Sequence, residues 1–381
     1  MRGIPSAALI LAYIFIGWGC AGEKTKPNPP TRFVAVSVGY AHTCAVTTAG
    51  AAYCWGSNGF GQLGDQTRTG RSRPGLVAGG VQFTIVDAGA FHTCGVTAAG
   101  AAYCWGANSS GELGDGTTTS QSSPVLVAGG VHLAAVSGGN SYTCGVTPAG
   151  AAYCWGEDLY GQLGDGQPSD EDATQSTPRL VAGGVSFAAV SAAFDHTCGV
   201  TAAGTAYCWG NNGSGQLGDG TTTHRSTPVL VAGGVRFAAV SASLPCGVTP
   251  KGSVYCWGQH ESGALGDGTT IRRLTPGLVA GGLSFAAVSA GTGYACGVTE
   301  VGTAYCWGDN REGQLGDGTK TSRWSPVLVA GGVRFAAVSA GTNHTCGVTH
   351  AGEAYCWGDN RDGQLGDGTT IDQLTPVRVV R

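Results

Sequence analysis

Charge is what this 381-residue chain has least of. Only 12% of its residues are Asp, Glu, Lys or Arg, and the net charge is −4. No Lys/Arg cluster interrupts the mild acidity, so the basic footprint of a nucleic-acid binder is missing. A polybasic patch that would hold a membrane surface is missing too. Helical periodicity is absent throughout, and the one long apolar run, Ala7 to Ile16, is too short to span a bilayer comfortably. There is no G-x-S-x-G, H-E-x-x-H, Walker loop or dinucleotide fingerprint, so no catalytic residue and no cofactor site stands out. A carboxylate pair for glycoside hydrolysis would go unmarked in such a sequence, but nothing singles one out.

What the chain does have is repetition. The tetrad YCWG begins at Tyr53, Tyr103, Tyr153, Tyr207, Tyr255, Tyr305 and Tyr355. A period near 50 with two small indels marks a repeat architecture. The 68 glycines follow the same period and fall at turns, so they do not signal disorder.

Within the last copy, Phe335–Ser339, His344–Thr349, Glu353–Gly358 and Pro376–Val380 read as four short strands. Turns at 341–343 and 350–352 and a Gly/Asp/Asn-rich loop separate them. Seven such units with no helix predict an all-β, seven-bladed propeller of four-stranded blades. The first Phe strand has no Pro strand before it, and the last Pro strand has nothing after it. The ring is therefore expected to close by pairing the C-terminal strand with the blade begun at the N-terminus, which hides two edges.

Fourteen of the fifteen cysteines form pairs ten residues apart. They are Cys44 with Cys54, Cys94 with Cys104, Cys144 with Cys154, Cys198 with Cys208, Cys246 with Cys256, Cys296 with Cys306, and Cys346 with Cys356. In a hairpin centred between them the two members stand directly opposite, within disulfide range. Each blade is thus expected to carry its own bridge, and so to mature in an oxidising compartment. The spacing is not a zinc pattern. Cys20 is the odd one. It follows Arg2 and the apolar run, so residues 1–20 read as an export signal whose Cys20 resembles a lipoprotein acceptor. Gly17 and Trp18 depart from that pattern, and the alternative is an ordinary cleaved signal. Residues 21–32, with Pro27, Pro29 and Pro30, read as an extended tether to a propeller over 33–381. The expected location is the cell envelope or the exterior, with membrane attachment only through Cys20.

The order G-x-x-H, Y-x-W-G, G-Q-L-G, P-x-x-V, as in His344, Tyr355 to Gly358, Gly363 to Gly366 and Pro376, resembles the regulator of chromosome condensation repeat. The likeness runs from Phe33 to Arg381. Kelch propellers share the period and a Gly-Gly pair but lack GQLGDG. The resemblance implies a seven-bladed platform that binds proteins. Eukaryotic members exchange nucleotide on a small GTPase and dock on chromatin. Those activities are not carried over, because the GTPase-contacting insertion has no counterpart here and the basic segments are missing. A secreted bacterial propeller that looks similar inhibits β-lactamases, a nearer analogy for an exported chain.

In an up-and-down blade, the loops between strands one and two and between strands three and four share one face. The opposite face is monotonous, reading TxxG and AGG in nearly every copy. The first face varies from GYAH to SLP and from SNGF to DNRD, and it includes an acidic insertion at 167–175. Varied loops on a constant frame suit recognition. Tyr40, Phe60, Phe91, Tyr160, Phe194, Arg272, Arg273, Arg311 and Trp324 are the candidate contacts. Drift in tolerant loops is the bland alternative. His42, His92, His196 and His344 recur at one strand start and are assigned to hydrogen bonding at the turn rather than to a metal. The recurring Asp of the GDG turn is assigned to turn formation, and the alternating Tyr and Trp to the core between blades.

Three functions follow as expectations. The first is an exported, monomeric propeller that binds a protein and is not an enzyme. The second is a glycan-acting hydrolase or lyase, and the third a structural envelope protein.

Overall fold

The computed structural model describes residues 32–167, 174–259 and 261–380. The expected lipid-acceptor Cys20, the signal, nearly all of the tether and most of the acidic insertion lie outside them. Seven separate four-stranded antiparallel sheets make up the described chain, which contains no α-helix. Blade 1 consists of β1 (Phe33–Val38), β2 (His42–Thr47), β3 (Ala52–Gly56) and β4 (Arg71–Leu76). Blades 2 to 7 repeat this order over 85–126, 135–180, 189–230, 239–278, 287–328 and 337–378. First strands touch the first strands of both neighbouring blades, so they line the axis, and fourth strands form the rim.

All seven bridges form within blades. Cys44 pairs directly across from Cys54 between β2 and β3, with Cα atoms 4.1 Å apart. Cys94 with Cys104, Cys144 with Cys154, Cys198 with Cys208, Cys246 with Cys256, Cys296 with Cys306, and Cys346 with Cys356 repeat this geometry in the other blades. The turn that sets this register needs a glycine. Gly50 donates its N–H to the Thr47 carbonyl at φ +80°, a left-handed conformation that costs glycine little.

Each core lies between blades. The bridge and Leu63 of blade 1 bury Phe83 and Trp105 of blade 2. Every neighbouring pair repeats the pattern, with Leu133 in the place of the Phe in blade 3. The seven Trp side chains of the YCWG strands are fully buried. The Phe expected to open the first strand instead precedes it in blade 2 and in blades 4 to 7; in blade 7 Phe335 meets Tyr355 edge-on and tilts against Trp357.

Two further strand expectations need correction. The fourth strand of blade 7 is Gln373–Arg378, with Pro376 inside it. Cys356 faces Val377 and Gly358 faces Gln373, so Pro376 sits in a bulge on an outer edge, where no ladder donor is missed. More importantly, the N- and C-terminal strands do not pair. The loop after each third strand folds the fourth strand back onto it, so every blade is complete within one contiguous stretch, and the last Pro strand already has its partner.

The ring closes instead through the same side-chain and main-chain bonds that join any two blades. Around the axis, Ser37, Asp87, Ser137, Ser191, Ser241, Ser289 and Ser339 each accept a backbone N–H from the end of the next first strand, at 2.8 to 3.1 Å. The seventh of these, Ser339 to Val38, spans the two ends of the ring. Around the rim, the loop after each third strand donates an N–H to the carbonyl of the second residue in the next blade's fourth strand (the third in blade 3). Gly368 to Ser72 completes that belt at 2.8 Å. The donated bond covers part of an otherwise open sheet edge.

Candidate binding face and the channel mouth

The loops between first and second strands of all seven blades converge on one end of the axis. They surround a cavity of about 370 Å³, whose wall runs from Tyr40 and Ala90 through Asn140, Phe194 and Leu244 to Thr292 and Thr342. Backbone bonds tie some of these loops into an arc: Tyr40 N–H to Ala90 O, Ala90 N–H to Gly139 O, and Asn140 N–H to Ala193 O. The mouth is therefore a rigid frame carrying unlike side chains.

Beneath it, the second strands begin with buried histidines. His42 Nε2 lies 2.9 Å from Thr93 Oγ1, whose hydrogen is used on the Gln62 carbonyl at 2.9 Å. The histidine must then be the donor, which fixes the Nε2–H tautomer. His92 with Thr143 and His344 with Thr43 repeat this across successive blades. Burial pushes His42 and His344 down to about 3 and His92 to about 4, so all three are neutral. In blades 3 and 6 tyrosines do the same work: Tyr142 and Tyr294 donate to the carbonyls of His196 and His344. These recurring residues join blades. Among the described residues, no group of three or more His, Cys, Asp or Glu is arranged to hold a metal ion.

The predicted contact residues fall into three groups. Tyr40, Phe194 and Arg311 line the cavity itself. Phe60 and Phe91 join Tyr40 in a continuous aromatic patch across blades 1 and 2, with ring centres 5.2 Å (Tyr40 to Phe91) and 5.6 Å (Phe60 to Phe91) apart. Phe91 is half-buried between the other two, which are 43% and 46% exposed. Phe194 is 59% exposed.

The remaining residues sit further out. Tyr160 packs on His224 at 5.3 Å, and Trp324 lies on the fourth strand of blade 6 beside Gly263. Arg272 is exposed. Arg273 pairs with Asp267 at 2.6 Å, a clamp also built by Arg71–Asp65, Arg225–Asp219 and Arg323–Asp317. Its repetition marks it as part of the frame, which single loops compared in sequence do not show.

Charge around the mouth is uneven. Arg311 is paired with Asp309 at 2.9 Å. Two blades away, Asp195 stands next to Phe194. Burial would raise its carboxyl, but bonds from His196 and from Asn211 at 2.5 Å hold it below the usual range. Asp195 in turn helps burial to raise Glu157. The mouth thus offers an anionic flank, a paired arginine and a strip of exposed aromatic surface.

A propeller of seven like blades, with one monotonous end and one end of varied loops over a recess, defines a scaffold class. The chain belongs to the Regulator of chromosome condensation (RCC1) repeat family, whose model matches residues 49–96, 99–146, 149–200, 203–244, 251–298, 301–348 and 351–381. Five of the seven matches begin at the turn before one blade's third strand and end with the next blade's second, so the repeat in sequence straddles two blades.

Solved structures share the fold at low identity. Human WBSCR16 superposes with a TM-score of 0.79 at 20% identity, covering 87% of this chain and 94% of that one. Yeast RCC1 (Prp20), solved bound to Kap60, gives 0.75 at 18%, covering 97% and 91%. The ectodomain of the Physcomitrella patens receptor kinase CR4 gives 0.56 at 22%, covering 86% and 73%.

Proposed function

We propose that this propeller is an exported, non-enzymatic scaffold that recognises another protein through the channel mouth and the aromatic patch beside it. The observation that carries this reading is the placement of Tyr40, Phe60, Phe91 and Phe194. These large apolar side chains stand on the one face whose loops differ, two of them at the edge of a recess, while the frame below is repeated almost residue for residue. Aromatic anchors beside a concavity are the usual source of binding energy in protein interfaces. Exposed aromatics are otherwise costly to solubility.

Export is supported by the seven bridges, which persist only where thiols are oxidised. Lipid attachment at Cys20 would place the scaffold at an envelope surface, and a monomer leaves the mouth open. The protein-binding use agrees with yeast RCC1, a relative in fold that was solved with a protein partner.

The test is affinity capture from the envelope and extracellular fractions with the oxidised wild-type propeller and a variant combining Tyr40→Ala and Phe194→Ala. A partner retained by the first and lost by the second is expected. Retention of the same proteins by both, at equal yield, would overturn the assignment of the face. Mass spectrometry of the N-terminus checks the lipid: a chain starting elsewhere than a modified Cys20 removes the anchor.

A further inference from the structure

Blade 5 breaks the pattern of the mouth. Six blades place six residues between the axial Ser or Asp of the first strand and the first cysteine, as from Ser191 to Cys198; blade 5 places four, from Ser241 to Cys246. The cavity reaches outward over this shorter loop. Among the described residues, the only loops between third and fourth strands that line it belong to blades 4, 5 and 6, through Gln216, Gln259, Ser262, Ala264, Asp309 and Arg311. The recess is therefore lopsided, with a lobe over those three blades.

Blade 4 lines this lobe with a histidine unlike the others. His42, His92 and His344 bond through Nε2 to the threonine before the next blade's first cysteine. Blade 5 has Pro245 at that place, which offers no hydroxyl. A Cβ on Gly39 or Gly89 would stand 2.6 or 2.5 Å from Cε1 of His42 or His92. Blade 4 carries Ala193 there, so the His196 ring cannot adopt their pose. It turns Nδ1 to Asp195 Oδ1 at 3.4 Å. In the neutral ring, an Nδ1–H given to a carboxylate leaves the lone pair on Nε2. His196 is 2% exposed and lines the cavity, and among the described residues its Nε2 has no hydrogen-bond partner. A buried acceptor left open costs free energy until a donor reaches it.

The surrounding charge selects the donor. Burial would raise the Asp195 carboxyl, but the bonds from His196 and Asn211 hold it below the usual range. Asp309 is already paired with Arg311. Among the Asp, Glu, Lys and Arg residues that line the cavity, Asp195 and Asp309 face Arg311 alone, which leaves the charge of Asp195 uncompensated. Glu157, whose carboxyl is raised by burial and by Asp195, adds no cation. Phe194 offers an exposed aromatic face at the same wall, and such a face attracts an ammonium. One lone pair beside one carboxylate suits the compact ammonium of lysine better than the planar fork of arginine.

We propose that the lobe over blades 4 to 6 seats a lysine side chain of the partner protein, whose ammonium donates to His196 Nε2 beside the Asp195 carboxylate. This rests on the reading of the mouth as a protein-binding face and names the group that enters it.

The test uses the full oxidised chain at about pH 8, above the ordinary histidine range. Long-range proton–nitrogen NMR of the histidine rings is followed while Nα-acetyl-lysine methylamide is added, and then its Nε-acetyl analogue. His196→Phe identifies the His196 signals by their loss. The free protein is expected to show His196 with Nδ1 protonated and Nε2 bare, opposite to His42. The lysine probe should move the Nε2 signal and saturate, and the acetylated probe should not. Asp195→Asn, which keeps an oxygen for Nδ1–H, should weaken the lysine probe at least about threefold through the lost charge. A protonated Nε2 in the free protein, equal shifts with both probes, or no shift up to about 50 mM lysine probe would overturn the proposal. A partner captured through the mouth separates this claim from the one beneath it. Acetylation of its lysines should weaken its binding to wild type and leave its binding to His196→Phe unchanged. A partner that depends on Tyr40 and Phe194 but binds wild type equally after acetylation would sink the lysine seat and leave the binding face standing. Saturable lysine-probe binding with no partner that depends on Tyr40 and Phe194 would support the ammonium seat and sink the binding face.

Discussion

Removing one bridge from the blade at the seam asks whether the ring behaves as a single unit. Replacing Cys346 and Cys356 together by Ala deletes the staple of blade 7, both of whose cysteines are fully buried. The bridge closes a hairpin ten residues in separation, for which chain entropy gives about 2.5 to 3 kcal/mol. If all of the roughly 350 residues of the ring unfold together, the unfolding entropy near 60 °C is about 0.7 kcal/mol/K, and the loss lowers Tm by about 4 °C. A blade of about 50 residues that melted alone would have one seventh of that entropy, and its own transition would fall by more than about 20 °C. The three kinds of interblade bond and the shared cores argue for the first outcome. Differential scanning calorimetry under non-reducing conditions separates the two. A single transition lowered by about 4 °C is expected. A separate early transition worth one blade would refute the reasoning about coupling. A shift under about 1 °C, or peptide maps linking cysteines of different blades, would refute the staple itself.

Two further predictions follow from the interblade bonds. His42, His92 and His344 have depressed pKa values, so each contributes stability that is present above about 6.5 and lost as pH falls toward 3 to 4. Each costs at most about 2 kcal/mol at pH 5. His42→Tyr, which copies the residue native at Tyr142 and Tyr294, should flatten the acid limb of a denaturation-versus-pH curve; an unchanged limb would contradict the neutral buried state. Ser339→Ala leaves the Val38 N–H without its acceptor at the seam and should cost about 1 kcal/mol in urea titration. Ser37→Ala should cost more, because it also takes the hydroxyl donor from Asp87.

The blade count, the four-strand unit and the cysteine pairing were legible because each rests on local periodicity repeated seven times. Cys44 and Cys54 lie opposite for reasons contained within one hairpin. The closure of the ring is not legible in the same way, because it depends on which neighbour a strand chooses. The linear sequence shows Pro376–Val380 ending the chain, but not that the preceding loop already returns it to the YCWG strand. Arg273 reads as a free contact for a related reason. Its partner Asp267 lies across a loop, and only the recurrence of Arg71–Asp65, Arg225–Asp219 and Arg323–Asp317 reveals a clamp. Asp158 and His260 are the two residues of the set SNGF to DNRD that stand in place of asparagine. What the position does becomes clear only once Asn58, Asn108, Asn212, Asn310 and Asn360 are seen donating to the Asp of the same loop.

The recognition face is tested most directly by measuring the affinity of a captured partner for single variants on the two ends of the ring. Tyr40→Ala, Phe91→Ala and Phe194→Ala on the varied end should each raise Kd by about 5- to 30-fold while leaving Tm within about 2 °C, as truncated interface anchors do. Val301→Ser, on the opposite end and 72% exposed, should leave Kd unchanged. Equal losses on both ends, or loss only with Val301→Ser, would contradict the account.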